Sequence, residues 1–510
     1  MTTYRNPVVR GVSPDPSVCR VGEDFFLATS SLDFWPGIPI RHSTDLVRWT
    51  VIGHAVTRPA QYRRDGRPGP LRLYAPTLRY HEGRFYLACT NVADDQGNFI
   101  VYADDPAGPW SDAMWVDGEG FDPSLTFDAD TAYYTRRTVI PGKEGSGPLV
   151  QAEIDIHTGR LLSTTRPITV GEAGWCSNDI EGPHLYRIGE WWYLLAAEGG
   201  TWKGHMATVA RSRSPWGPFE SCPRNPVLTH RHRVGHPIQS TGHADLVDDA
   251  DGRWWAVFLG TRHLGPTAWH HLGRETFLTP VSWDDEGWPV MGDDRGTELD
   301  VAAVLPPGGN TTWPHRPSVW TAGWSSRQPP VDGSELTDTG QTVSVRLPQH
   351  PGRLDDGGAG PAVFLPQPEF DCAFSATVPA PPSAPAAAGI AVYAAPDHHY
   401  DLLVSVEDGE RRLTLSKRVG DLTDRRLTTL TGDGAVGLRI TAEGANYSFA
   451  ARDADDRRAA WVKIGTGLAR LVSAEASASY SAARFAVVSH ESVGTLTDVS
   501  LHRDRSEEPR

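Results

Sequence analysis

The chain has 510 residues, with 48 Lys plus Arg against 63 Asp plus Glu, a formal net charge of −15. That balance excludes a general nucleic-acid binder, which needs a basic surface to displace counterions, and apolar runs such as Trp191–Ala197 are far too short to span a bilayer. The 51 Gly, 41 Pro and 18 Trp suit a turn-rich β protein whose flat indole rings serve as core or as platforms for sugar rings.

The opening stretch from Met1 to Pro7 has no basic segment followed by an apolar one, so no secretory signal is expected. Five scattered cysteines, Cys19, Cys89, Cys176, Cys222 and Cys372, show no Cys-x-x-Cys or Cys/His spacing. Neither a zinc site nor a disulfide framework is indicated, and the cytoplasm is the expected compartment.

From residue 15 onward a unit repeats. Asp15-Pro16-Ser17 precedes Gly22-Glu23-Asp24-Phe25-Phe26-Leu27, and Ala75-Pro76-Thr77 precedes Gly83-Arg84-Phe85-Tyr86-Leu87. Asp122-Pro123-Ser124 precedes Asp130-Thr131-Ala132-Tyr133-Tyr134, and Glu181-Gly182-Pro183 precedes Gly189-Glu190-Trp191-Trp192-Tyr193. Gly242-His243-Ala244 precedes Gly252-Arg253-Trp254-Trp255-Ala256. Each unit reads as a strand, a tight turn and an aromatic strand. Five such units predict a five-bladed β-propeller over residues 1–305. A Pro/Gly-rich linker follows over 306–324. Over 325–510 strand signals continue without the repeat: Phe370–Val378, Gly389–Ala394, Tyr400–Val406, Arg412–Arg418, Val436–Thr441, Tyr447–Ala451, Arg484–Ser489 and Thr495–His502. About eight strands predict a two-sheet β-sandwich, with a Pro/Ala surface loop at Val378–Pro385 and a frayed charged tail at Arg503–Arg510.

In a propeller the innermost strand of each blade lines the central channel. The repeat therefore gathers Asp15, Ala75 (beside Tyr74), Asp122, Glu181 and His243 at one channel mouth. A lone Asp-Pro-Ser need do no more than start a strand. Three acids converging on one axis raise one another's pKa and are costly without a purpose. Two carboxyl groups across a pocket are what glycoside hydrolysis requires, one as acid and one as base or nucleophile, and a third can tune the acid. A channel this wide separates the acids enough for an intervening water, which favours inversion.

At these motifs the chain resembles glycoside hydrolase family 43, the five-bladed propeller β-xylosidases, α-L-arabinofuranosidases and arabinanases. The resemblance rests on Asn6-Pro7-Val8, Ser13-Pro14-Asp15-Pro16-Ser17, Phe34-Trp35-Pro36-Gly37, His42-Ser43-Thr44-Asp45-Leu46-Val47-Arg48-Trp49, Gly120-Phe121-Asp122-Pro123-Ser124, Glu181-Gly182-Pro183-His184 and Gly273-Arg274-Glu275-Thr276. It implies Asp15 as general base, Glu181 as general acid and Asp122 as the residue that orients the acid and sets its pKa. His243 and Arg274 would line the sugar pocket, together with Leu32, Phe34, Trp35 and Tyr74. The implied second domain is a concanavalin/laminin-G-like sandwich, and the implied activity is exo-acting, inverting release of terminal arabinofuranosyl or xylosyl residues from hemicellulose-derived oligosaccharides. Tyr74 stands where many of the β-xylosidases carry Trp, and Leu32 where they often place Phe, which points toward arabinofuranosidase or dual activity. No cofactor is required by that chemistry. A calcium in the channel near His243 would be structural, and assembly into a homo-oligomer is left open. Two other readings are a non-catalytic carbohydrate-binding propeller and a related retaining fructosidase. The first is disfavoured by the three acids. The second lacks its Asn-Asp-Pro and Arg-Asp-Pro motifs here.

Overall fold

The computed structural model describes residues 2–140, 147–169, 174–266, 269–308, 312–330, 332–338, 340, 342–356, 362–379, 387–407, 409–456, 458–490 and 493–503. The tail beyond Arg503 and most of the Pro/Ala stretch, 380–386, lie outside the described residues. Two units separate: residues 1–266 with 274–316, and residues 267–273 with 317–510.

The first unit contains five four-stranded antiparallel sheets, each made of strands consecutive in sequence. Their innermost strands are Ser17–Val21, Leu73–His81, Phe121–Asp128, Ile180–Ile188 and Ile238–Asp248. Each packs beside the next and the fifth packs beside the first, closing a five-bladed propeller. The repeat corresponds to the first hairpin of each blade. In blades one to four two residues link the strands: Gly22-Glu23, Glu82-Gly83, Ala129-Asp130 and Gly189-Glu190. Such turns need a positive φ, which a glycine supplies in three of them and Ala129 (φ 49°) in the third blade.

One apolar cluster fills each of the five gaps between blades. Phe26, Ile40, Leu87 and Phe99 lie between blades one and two; Ile100, Leu125 and Tyr134 between two and three; Leu149, Leu185 and Leu194 between three and four. Leu195, Val209, Leu246 and Phe258 follow between four and five, and Val18, Leu27, Val257 and Leu278 between five and one. The tryptophans of the repeat belong to this scaffold: Trp110, Trp192 and Trp255 are buried, and Trp191, Trp216 and Trp254 pack against the clusters. Ring closure also has a polar component. Asp245 Oδ2 on blade five accepts from Ser17 Oγ (2.7 Å) and Val18 N (3.0 Å) on blade one, and pairs with Arg79 Nη1 of blade two at 2.8 Å.

The second unit is a two-sheet sandwich of seven and six antiparallel strands around a single apolar core. All eight expected strands are present, and among the described residues five more accompany them: Glu335–Asp338, Val343–Leu347, Ala362–Pro366, Leu422–Thr429 and Val462–Leu468. Four of these five are sheet edges. Leu422–Thr429 is exposed throughout. A strand with no buried face carries no apolar alternation, so its sequence has nothing to announce it.

Candidate active site

The innermost strands do not enter the channel as regular β-structure. Register shifts interrupt their pairing between Tyr74 and Thr77, Phe121 and Ser124, Glu181 and His184, and Gln239 and Asp245. Such bulges re-aim side chains at a barrel or propeller mouth. At them Asp122 (φ 53°), Gly182 (φ 56°) and His243 (φ 49°) hold left-handed backbone, as does Asp15 (φ 54°) ahead of the first strand. This corrects the reading of the repeat by one residue. Gly182, not Glu181, is the counterpart of Asp15 and Asp122, and Glu181 pairs in the register of Phe121. The left-handed position must be glycine here because a Cβ on Gly182 would lie 2.5 Å from His243 Nε2.

The structure brings five of the nine expected site residues together. Asp15 Oδ1 stands 3.5 Å from His243 Nδ1 and 3.4 Å from Arg274 Nη1, and Asp15 Oδ2 accepts from Ser30 Oγ at 2.5 Å. Asp122 Oδ2 accepts from Gly182 N at 3.0 Å. One ligand atom from each of Asp122, Glu181 and His243 falls within 4.8 Å of the others. Glu181, whose side chain is 18% exposed, accepts from Arg137 Nη1 at 3.2 Å. Of the remaining four, Leu32, Phe34 and Trp35 lie between the strands Asp24–Ala28 and Gly37–Ser43 of the first blade, and Tyr74 lies on the innermost strand of the second. Leu32 and Phe34 are buried, and Leu32 pairs with Leu73 immediately before half-buried Tyr74. Trp35 packs against the core between blades one and two and donates Nε1 to Thr57 O at 3.1 Å.

Four residues escaped the sequence reading. Ser30 and Arg137 bond the acids directly, Asp179 shares Arg137 Nη1 at 2.5 Å, and Thr201 Oγ1 accepts from Arg274 at 3.0 Å. Arg137 pairs across the bulge with Phe121, with its guanidinium 4.9 Å from that ring's centre. The Arg136-Arg137 dipeptide at the end of an aromatic strand was its one visible trace.

The acids sit in opposed electrostatic settings. Burial pushes the Asp15 carboxyl upward, but Arg274, His243 and the Ser30 hydrogen bond outweigh it and hold its pKa below the usual value. Glu181 is pushed up to about 7 by burial and by the Asp179 charge, with Arg137 opposing. Asp122 is raised well above the carboxylate range by burial and then by Glu181 and Asp15. Burial lowers the pKa of His243, with the nearby Asp15 opposing. A calcium does not suit this setting. Calcium takes six to eight oxygen ligands, whereas the converging donors include an imidazole, Arg274 stands beside Asp15, and Arg79 occupies the channel beside Asp245.

Residues 4–289 match the family model for glycosyl hydrolases family 43, and 322–486 match that of the β-xylosidase C-terminal concanavalin A-like domain. The chain belongs to glycosyl hydrolase family 43. It is 39% identical over 471 residues to the non-reducing end α-L-arabinofuranosidase BoGH43B of Bacteroides ovatus, covering 88% of this chain and 84% of that protein. It is 41% identical to a xylosidase/arabinosidase of Butyrivibrio fibrisolvens over 59% of this chain and 58% of that one. Among solved structures, the Bacteroides ovatus xyloglucan PUL GH43B superposes with a TM-score of 0.86 at 35% identity, covering 98% of this chain and 99% of that one. The xylan β-1,4-xylosidase of Bacillus halodurans gives 0.87 at 26% identity, covering 98% and 100%.

Proposed function

We propose that this family 43 member is an exo-acting, inverting glycosidase that releases terminal pentose from hemicellulose-derived oligosaccharides, with α-L-arabinofuranosyl units preferred. One observation carries the mechanism: Asp15 and Glu181, on non-adjacent blades one and four, sit among neighbours that push their pKa values in opposite directions. Paired carboxyls pushed apart in pKa are the signature of a divided base and acid. Asp15, kept ionised by Arg274, His243 and Ser30, takes a proton from water as that water attacks the anomeric carbon. Glu181, protonated up to about pH 7, gives its proton to the departing oxygen. Asp122 fixes the Gly182 backbone beside the acid. His243 and Arg274 flank Asp15 and are placed to hold the terminal sugar. Inversion requires room between the two carboxyls for the attacking water.

The arabinofuranosyl preference is supported by Tyr74 on the second blade, by Leu32 paired with its neighbour Leu73, and by similarity to the Bacteroides arabinofuranosidase. The chemistry calls on no metal. Following the released anomer by NMR tests the mechanism, since a retained configuration overturns it. Glu181→Gln should lose roughly 10²–10⁴-fold in rate on natural linkages, the usual worth of a general acid, and far less on an aryl pentoside with a good leaving group.

A further inference from the structure

A second concave site lies within the sandwich unit. Along His398–Glu407 the side chains alternate: Tyr400, Leu402 and Val404 enter the apolar core, while His399, Asp401 and Ser405 face the other side of the sheet. Polar residues on that outer face would ordinarily be wet. Here they are buried, and they line a cavity of 160 Å³. Asp401 is 5% exposed, Ser405 6% and His490 7%. Asp401 Oδ1, Ser405 Oγ and His490 Nε2 nonetheless have no hydrogen-bond partner among the described residues. Each such orphan costs about 1–3 kcal/mol if left unsatisfied, so three in one cavity point to a missing partner.

The wall also carries fixed ion pairs, and Arg418 Nε is a further buried atom without a hydrogen-bond partner among the described residues. Asp355 receives His399 Nε2 at 3.1 Å and Arg418 Nη1 at 3.0 Å, and His399 also stands 3.6 Å from Asp401. These contacts hold the wall rigid while leaving an acceptor, a hydroxyl and a ring nitrogen aimed inward. Burial pushes the Asp401 carboxyl up to about 6, with His399 opposing.

We propose that this pocket is a second, non-catalytic sugar site that takes one neutral pentose ring. An anion would meet the Asp401 carboxyl, and a cation would meet the arginines around it. A neutral polyol meets neither objection, because every hydroxyl both donates and accepts, while Leu403 and Ala387 give its C–H face an apolar contact. The volume restricts the guest: drug-sized ligands need pockets of about 300 Å³ or more. The choice of a pentose rests on the proposed activity, whereas the existence of the site does not.

The test uses the full chain carrying Glu181→Gln, titrated calorimetrically with L-arabinose and with D-xylose. Two binding events are expected. Adding Ser405→Val or Asp401→Asn should weaken only one of them, by about tenfold for a lost buried hydrogen bond. The same two substitutions in the wild-type chain should leave aryl-pentoside hydrolysis unchanged. Two variants of different chemistry, each checked for an unchanged melting temperature, guard against a folding defect. A single event indifferent to both substitutions overturns the site and means that water fills the cavity. Competition by inorganic phosphate for the affected event makes it an anion site and also overturns the proposal. Loss of hydrolysis on either substitution overturns the non-catalytic role, whereas failure of the unsubstituted chain to hydrolyse the aryl pentoside counts against the proposed activity alone, because the binding arm is read separately.

Discussion

The pKa of Glu181 is the quantity on which the proposed mechanism turns, and Asp179 offers a way to move it without touching the acid. Asp179 Oδ1 and Glu181 Oε2 bond the same Arg137 Nη1, at 2.5 and 3.2 Å. The two carboxylates are therefore roughly 6 Å apart at most, where like charges repel by about 0.7 kcal/mol in bulk water and about 3 kcal/mol at an effective dielectric of about 20. Asp179 is 33% exposed, so solvent screening argues for a middle value, about 1.4 kcal/mol or one pK unit. Asp179→Asn removes that repulsion and leaves Arg137 to Glu181 alone. Both effects favour the ionised acid, so its pKa falls from about 7 toward about 6. A general acid works only while protonated, so the alkaline limb of the kcat/KM profile should move down by about one pH unit. Activity at pH 5 should hold while activity at pH 8 falls about tenfold. Profiles on a natural arabinoside and on an activated aryl pentoside separate the cases, since the activated substrate needs little protonation and its limb should be blunted. An alkaline limb that stays in place, or moves upward, refutes the assignment of Glu181 as the acid under Asp179 control.

Three further outcomes are expected. Asp15→Asn should lower kcat by roughly 10²–10⁴-fold on activated and natural substrates alike, because the base is needed whatever the leaving group; full activity would remove Asp15 from the mechanism. Gly182→Ala places a methyl 2.5 Å from His243 Nε2 at a left-handed position, so kcat/KM should drop at least about tenfold and the melting temperature by several degrees, as backbone strain of about 1–3 kcal/mol implies. Asp245 has a pKa held below the usual carboxylate value: burial pushes it up, but Arg79 and His184 outweigh burial. A group depressed in this way contributes stability that is complete above the unfolded value of about 3.9 and is lost as pH falls through the folded value. Calorimetry should therefore show Asp245→Asn destabilised by about 3–5 kcal/mol at pH 7, since it strands buried Arg79, with the gap to wild type narrowing in acid.

Much of the propeller was legible in the chain. The glycine turns and aromatic second strands recur because every blade solves the same hairpin problem, and Asp15 and Asp122 stand out because both occupy the same Asp-Pro-Ser frame. Glu181 was visible as an acid but was aligned one residue off. A bulge exchanges inward and outward positions locally, and sequence spacing carries no record of it. Eight sandwich strands could be read from their buried faces, whereas the edges could not.

The blade count, the sandwich and the three acids were readable along the chain, because each rests on local periodicity or a short motif. Which groups set the charges of the buried acids emerged only in three dimensions. Arg274 reaches Asp15 from 259 residues away and Arg79 reaches Asp245 across 166, and Arg137 is divided between Asp179 and Glu181. The pocket around Asp401 likewise arises where neighbouring strands meet on one face of a sheet. Burial and charge pairing are properties of neighbours in space, and those neighbours exist only once the ring and the sandwich have closed.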